Sequence, residues 1–136
     1  MIAAVCSWHE QHDKAVRELQ KRLSGTEEMI VAAPALIEAY AVLTRLPAPH
    51  RISPALALTL LETNFFRGAK IATLDAARYR SLLRSSPDTG IAGGRVYDAV
   101  IAACARKAKV RTLLTFNETH FASLGGPNLE IVVPRG

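Results

Sequence analysis

The chain has 136 residues, 49% of them hydrophobic and 21% charged, with a formal net charge of +5. That length suits one domain with one core, and the composition excludes a disordered chain. No apolar run approaches the roughly 20 residues of a membrane-spanning helix, no basic n-region precedes an apolar stretch, and two cysteines are too few for a disulfide framework. The expectation is a reduced cytoplasmic protein in which Cys6 and Cys104 are buried thiols. In chain order, Gln11 to Leu23 reads as an amphipathic helix, with Val16, Leu19 and Leu23 recurring every three or four residues and Lys14, Arg17, Glu18, Lys21 and Arg22 outside. Gly25 ends it. Met29 to Ala33 reads as a buried strand. Pro34 suits the first turn of a helix reaching Leu46, stopped by Pro47 and Pro49. Ser53 caps a helix that runs from Pro54 to Phe66, and Gly68 breaks it. Lys70 to Leu74 is a second strand. Asp75 caps a helix through Leu83, and residues 85–94 read as a loop. Arg95 to Ala108 is a helix with Val96, Val100, Ile101 and Cys104 on one stripe. Arg111 to Thr115 and Leu129 to Val133 are the last strands. Alternating helices and short apolar strands predict an α/β layered domain with a mainly parallel sheet, spanning residues 1–136 as one unit.

Three polar residues lie just after junctions in this pattern: Glu38 after the Met29 strand, Asp98 after the glycine-rich loop, and Asn117 after the Arg111 strand. In a parallel sheet, sites form outside the carboxyl ends of the strands. Together with the Thr115 hydroxyl, the three converge on one rim, where oxygen ligands suit a hard divalent cation. Either carboxylate alone would be read as offsetting a helix dipole; the set together favours a site. Asp98 is followed at i+4 and i+7 by Ala102 and Ala105, a small-residue stripe that implies close packing. A carboxylate buried there needs a partner, either a metal or Arg95 one turn earlier.

Other candidates carry less. His9 and His12 have half-site spacing for zinc, without a third ligand, and read as polar residues at a helix start. His120 lies near Asn117, where it could act as an acid, contact phosphate, or only cap the turn from Glu118 to Ser123. The glycine loop at 90–94 lacks either nucleotide fingerprint. Arg106, Lys107, Lys109 and Arg111 complement the end of a helix, away from the rim. Arg95 is better placed for a phosphate, while Arg45 lies two turns beyond Glu38. Trp8, Tyr40, Phe65, Phe66 and Tyr97 read as core or interface residues. The positive balance favours polyanions, RNA and acidic protein segments among them.

Residues 34–45, Pro-Ala-Leu-Ile-Glu-Ala-Tyr-Ala-Val-Leu-Thr-Arg, resemble the second motif of PIN-domain ribonucleases. Residues 94–105, Gly-Arg-Val-Tyr-Asp-Ala-Val-Ile-Ala-Ala-Cys-Ala, resemble the third. Residues 113–121, Leu-Leu-Thr-Phe-Asn-Glu-Thr-His-Phe, resemble the fourth, with asparagine in place of the usual aspartate. The likeness runs over nearly the whole chain and is nearest to the VapC-type toxins of bacterial toxin–antitoxin pairs. It implies a three-layer α/β/α fold and a Mg²⁺- or Mn²⁺-dependent endoribonuclease. Glu38 and Asp98 would bind metal, Thr115 and Asn117 would hold water or a metal-bound ligand, and Arg95, His120 and Arg45 would contact RNA. It also implies a homodimer silenced by a cognate antitoxin.

In one respect the chain departs from that family. The family opens with a central strand bearing a metal-binding aspartate, whereas Met1 to Glu10 resembles the stretch just after it. That implies either a start upstream of Met1 or a truncated form with an impaired site. The first strand is then expected to be lost, leaving strand edges to be covered by rearrangement or another chain. Two other functions compete with the ribonuclease. One is a catalytically silent module that keeps the dimer face and antitoxin groove. The other is a receiver-like signalling domain, disfavoured because no acidic pair stands at a phosphoacceptor position.

Overall fold

Helices and short strands alternate along the chain much as the apolar periodicity predicts, over the residues 1–135 that this computed structural model describes. The chain divides into two compact units: Met1–Ile71, to which the C-terminal residues from Pro134 belong, and Ala72–Val133. No helix among the described residues is long and apolar enough to cross a membrane.

The first unit holds α1 (Ile2–Val5), α2 (His12–Leu23), β1 (Met29–Ala32), α3 (Ala33–Arg45), α4 (Pro54–Leu61) and β2 (Ala69–Ala72), whose last residue opens the second unit. Strands β1 and β2 form a two-stranded sheet. Val31, Leu36, Ala39, Leu61 and Phe65 bury one apolar cluster, against which Met1, Ile2, Val5 and Met29 pack. A second cluster joins Cys6, Leu43 and Ala57. Helix α3 starts at Ala33 with Pro34 in its first turn, where a missing N–H costs nothing. The Ser53 hydroxyl accepts the Leu56 N–H at 3.2 Å, so the expected cap is in place. Helix α4 then passes into a π-helical turn, Glu62–Phe66. That turn buries Phe65 (4% exposed) and leaves Phe66 outside (41%). The N-terminal residues form helix α1, which the sequence pattern had not marked; the His12 ring bonds the Ala3 carbonyl at 2.8 Å and ties α2 back to it.

The second unit holds α5 (Ala76–Thr89), α6 (Arg95–Lys107), β3 (Thr112–Leu114), α7 (Glu118–Phe121), a 3₁₀ turn (Ala122–Leu124) and β4 (Glu130–Val132). Strands β3 and β4 pair in parallel, Leu113 opposite Ile131, and the Thr115 N–H continues the ladder to the Val132 carbonyl at 3.0 Å. Asp75 caps α5 through the Arg78 N–H at 2.8 Å. The buried residues are small or few: Leu74, Ala99, Ala102, Cys104, Phe121 and Leu129.

Four expectations are corrected. The sheet is not continuous: the strands form two two-stranded sheets, one assigned to each unit. No strand precedes β1 among the described residues. The segment 85–89 is helical, because α5 runs through Pro87 to Thr89 before Gly90 takes the left-handed conformation (φ 72°) and ends it. Three hydroxyls support that last turn by donating to carbonyls: Ser85 and Ser86 to Leu82, and Thr89 to Ser85. On α6 the fully buried positions are Ala99, Ala102 and Cys104, while Val96, Val100 and Ile101 are only half-buried. The residues that pack closest there are the small ones. Trp8, Tyr40, Phe66 and Tyr97 are exposed, so the core half of their expected role is excluded, and Phe65 alone of the five is buried.

Candidate active site

Asp98 owes its position to the way α6 begins. Gly93 adopts positive φ (60°) and Gly94 stands at the N-cap without a side-chain oxygen to satisfy the first amides. Asp98 is the acidic residue of the first turn, where the helix dipole favours a negative charge. Its side chain is 17% exposed, and its Oδ2 lies 3.4 Å from Nδ1 of His120, whose own side chain is 57% exposed. The sequence left a metal or Arg95 as its partner. That guanidinium instead reaches the Ser123 hydroxyl at 3.5 Å.

His120 is held by α7, a single helical turn anchored by buried Phe121. The backbone carbonyl of Asn117 accepts the His120 N–H (3.0 Å) and the Phe121 N–H (3.2 Å). The Asn117 N–H in turn donates to the Thr115 hydroxyl oxygen at 3.0 Å. This local turn, of the kind Ser and Thr hydroxyls form, leaves the Asn117 side chain exposed, with no hydrogen bond from its amide among the described residues. The second unit thus joins Asp98 to His120, and His120 through α7 to Asn117 and Thr115. It also adds Ser123, which the sequence reading missed; Phe121, an apolar anchor four residues after Asn117, was the available sign that this turn folds back.

Glu38 belongs to the first unit. It lies on the exposed side of α3, between buried Leu36 and Ala39 and beside exposed Ile37 (73%) and Tyr40 (39%). Its charge acts on the Met1 α-amine. Burial pushes that amine's pKa below its usual value, and the negative charges of Glu38 and Cys6 partly oppose the shift. Arg45 is exposed in the last turn of α3. Burial also raises both thiols, Cys6 and Cys104, as expected for structural rather than reactive cysteines. His9 and His12 each use one ring nitrogen locally: His9 Nδ1 accepts the Gln11 N–H and His12 Nδ1 bonds the Ala3 carbonyl.

The PIN domain family matches residues 1–126. The chain belongs to the PIN-domain family. It is 34% identical over 113 residues to Ribonuclease VapC40 of Mycobacterium tuberculosis (strain CDC 1551 / Oshkosh), covering 83% of this chain and 78% of that relative. The same protein from strain ATCC 25618 / H37Rv gives the same figures. The chain is therefore a VapC-type member of the PIN-domain family, with an α/β fold.

For a PIN-domain chain the donor chemistry is informative. Asp98, Glu38, Thr115 and Asn117 offer only oxygen, which suits a hard cation and not zinc. No group of three or more His, Cys, Asp or Glu side chains capable of holding a metal gathers among the described residues. A site of one or two carboxylates still fits Mg²⁺, which keeps several waters and takes further oxygens from substrate phosphate.

Proposed function

We propose that this PIN-domain chain is a Mg²⁺- or Mn²⁺-dependent endoribonuclease, the toxin of a type II toxin–antitoxin system, and that its two units act as one domain. What supports this reading is the contact of Asp98 with His120, whose N–H bonds the Asn117 carbonyl, on a chain one-third identical to a protein named a ribonuclease. Asp98 is the metal carboxylate in this reading. Glu38 is the second, and its part rests on the motif resemblance. The bound metal would lower the pKa of a coordinated water and offset charge on the scissile phosphate. Thr115 and Asn117 would orient that water, the hydroxyl and the side-chain amide both being available to it. His120 keeps the Asp98 carboxylate in one orientation and can contact phosphate. Arg95, exposed beside it, would bind an RNA phosphate, as would Arg45.

The partners follow from the same reading: RNA, a cognate antitoxin and a second copy of the chain. Exposed Ile37, Tyr40, Leu56 and Leu58 in the first unit support protein contacts. Two buried thiols suit a reducing cytoplasm.

The test is cleavage of a labelled RNA by the purified 136-residue chain with Mg²⁺ or Mn²⁺. Asp98→Asn and Glu38→Gln should each abolish it, and calorimetric titration should show weakened Mn²⁺ binding. Cleavage that survives both changes, or persists in EDTA, removes the metal site. A second reading is a catalytically silent module that binds antitoxin without turnover. It is favoured by the absence of a three-ligand group among the described residues. Robust cleavage by the wild-type chain eliminates it.

A further inference from the structure

The far end of α6 carries a feature that hydrolysis at Asp98 does not use. An open groove of about 730 Å³ runs between the C-terminal end of α6 and the turn before β4, lined by Arg106, Lys109, Arg111, Pro127, Asn128 and Glu130 among others. Three cations face it and one carboxylate. All four side chains are exposed, and none of the three cations makes an ion pair or side-chain hydrogen bond among the described residues. Lys107 behaves differently: its ammonium donates to the Thr73 carbonyl at 2.7 Å. A helix C-terminus explains one or two nearby cations. It does not explain Arg111, which lies beyond the helix, nor the concave wall opposite.

That wall is rigid. The Gly126 N–H donates to the Leu129 carbonyl (3.0 Å) and the Leu129 N–H to the Gly126 carbonyl (3.1 Å). Leu129 is 2% exposed, and a Cβ at Gly125 would come within 3.0 Å of the Ile131 side chain. The opposite side is set by Lys109, the one non-glycine residue with positive φ (59°) among those described. Its left-handed turn ends α6, and Glu130 N–H donates to the Arg111 carbonyl at 2.8 Å, pinning the strand entry to β4. Both sides of the groove are therefore held without a ligand.

We propose that this groove binds the phosphodiester backbone of single-stranded RNA, gripping it about 12 Å along the helix axis from Asp98. The choice of RNA rests on the ribonuclease reading; the binding does not require cleavage. Arg, Lys and backbone amides are the usual phosphate contacts, and they fix position without reading bases. The groove presents no aromatic ring, so base stacking is absent and sequence preference should be weak. An acidic protein is the alternative occupant. It is disfavoured because the exposed lining has no large apolar or aromatic anchor of the kind that dominates protein interfaces.

The experiment measures binding of a fluorescent oligouridylate to the full chain in EDTA, at salt from about 50 to about 200 mM. The triple change Arg106→Ala, Lys109→Ala, Arg111→Ala should weaken binding about tenfold or more at low salt, and lower the slope of log K against log salt by about 2. Lys14→Ala, which removes an exposed cation of α2 outside the groove, should keep wild-type affinity and slope. Should the triple variant unfold by circular dichroism, Lys109→Gly removes one charge at a backbone position glycine tolerates, with a slope change of about 0.7. Wild-type slope and affinity in the variants overturn the proposal. So does a variant that loses affinity for polyglutamate while holding RNA normally. If RNA binds through the groove but is never cut, only the ribonuclease reading fails; if RNA is cut and the variants bind it normally, only the groove fails.

Discussion

The two units of this chain bury different amounts of apolar side chain. The first is built on apolar burial: Phe65, Leu61, Leu36, Val31 and Leu43 supply large side chains to its clusters. The second buries fewer apolar residues, three small ones on α6 (Ala99, Ala102 and Cys104) and three large ones elsewhere (Leu74, Phe121 and Leu129). Small residues on α6 allow close backbone approach, and the same helix carries Asp98, 17% exposed and 3.4 Å from His120. Apolar burial is thus heavier in the first unit, while the half-buried carboxylate with a histidine partner lies in the second.

Several changes can break or sharpen that contrast. The largest effect belongs to the second unit: Asp98→Asn should remove metal-supported cleavage while leaving urea unfolding close to wild type. Next comes Phe65→Ala in the first, which should cost about 3–5 kcal/mol by urea denaturation, whereas truncating exposed Phe66 should cost far less. Leu129→Ala in the second should cost about 2–5 kcal/mol. Trp8, the single tryptophan, reports on the first unit. If the two units form one cooperative domain, Leu129→Ala moves the Trp8 fluorescence transition as well; a transition left in place would show that the units unfold separately.

Smaller effects follow. Ser53→Ala should cost about 1 kcal/mol through loss of the α4 cap. His120→Asn should change stability by less than about 0.5 kcal/mol, since the histidine of the pair is mostly exposed. A large loss of cleavage in that variant would then assign His120 a chemical role rather than a structural one. The pH dependence comes from Asp75. The Arg78 backbone N–H, then its guanidinium, hold that carboxyl below the usual carboxylate value. Its contribution is therefore full above the unfolded pKa of about 3.9 and is lost as pH falls through the lower folded value. Asp75→Asn should flatten the melting temperature in that acid window and leave its neutral slope unchanged.

Much of this was legible along the chain. The caps at Ser53 and Asp75, the proline start of α3, the strands near 29, 70, 112 and 130, and the candidate residues Glu38, Asp98 and Asn117 all follow from spacing and local chemistry. Those signals act within one or two turns, so a single chain displays them. What escaped was set by packing. The last turn of α5 reads as a loop because Ser, Pro and Asp favour turns, yet three hydroxyl-to-carbonyl bonds and the Gly90 stop keep it helical. The helix at Ile2–Val5 carries no periodic signature, being too short to show one.

By itself, the sequence determined the α/β alternation, the acidic and amide candidates, the buried thiols and the likeness to PIN-domain ribonucleases. Tertiary structure alone decided that Asp98 faces His120 rather than Arg95, that Arg95 turns to Ser123, that the strands divide into two pairs, and that Arg106, Lys109 and Arg111 line a common groove. The reason is physical. Local propensity and capping act between near neighbours in the chain, whereas the partner of a charge is chosen by folding residues twenty or more positions apart into contact.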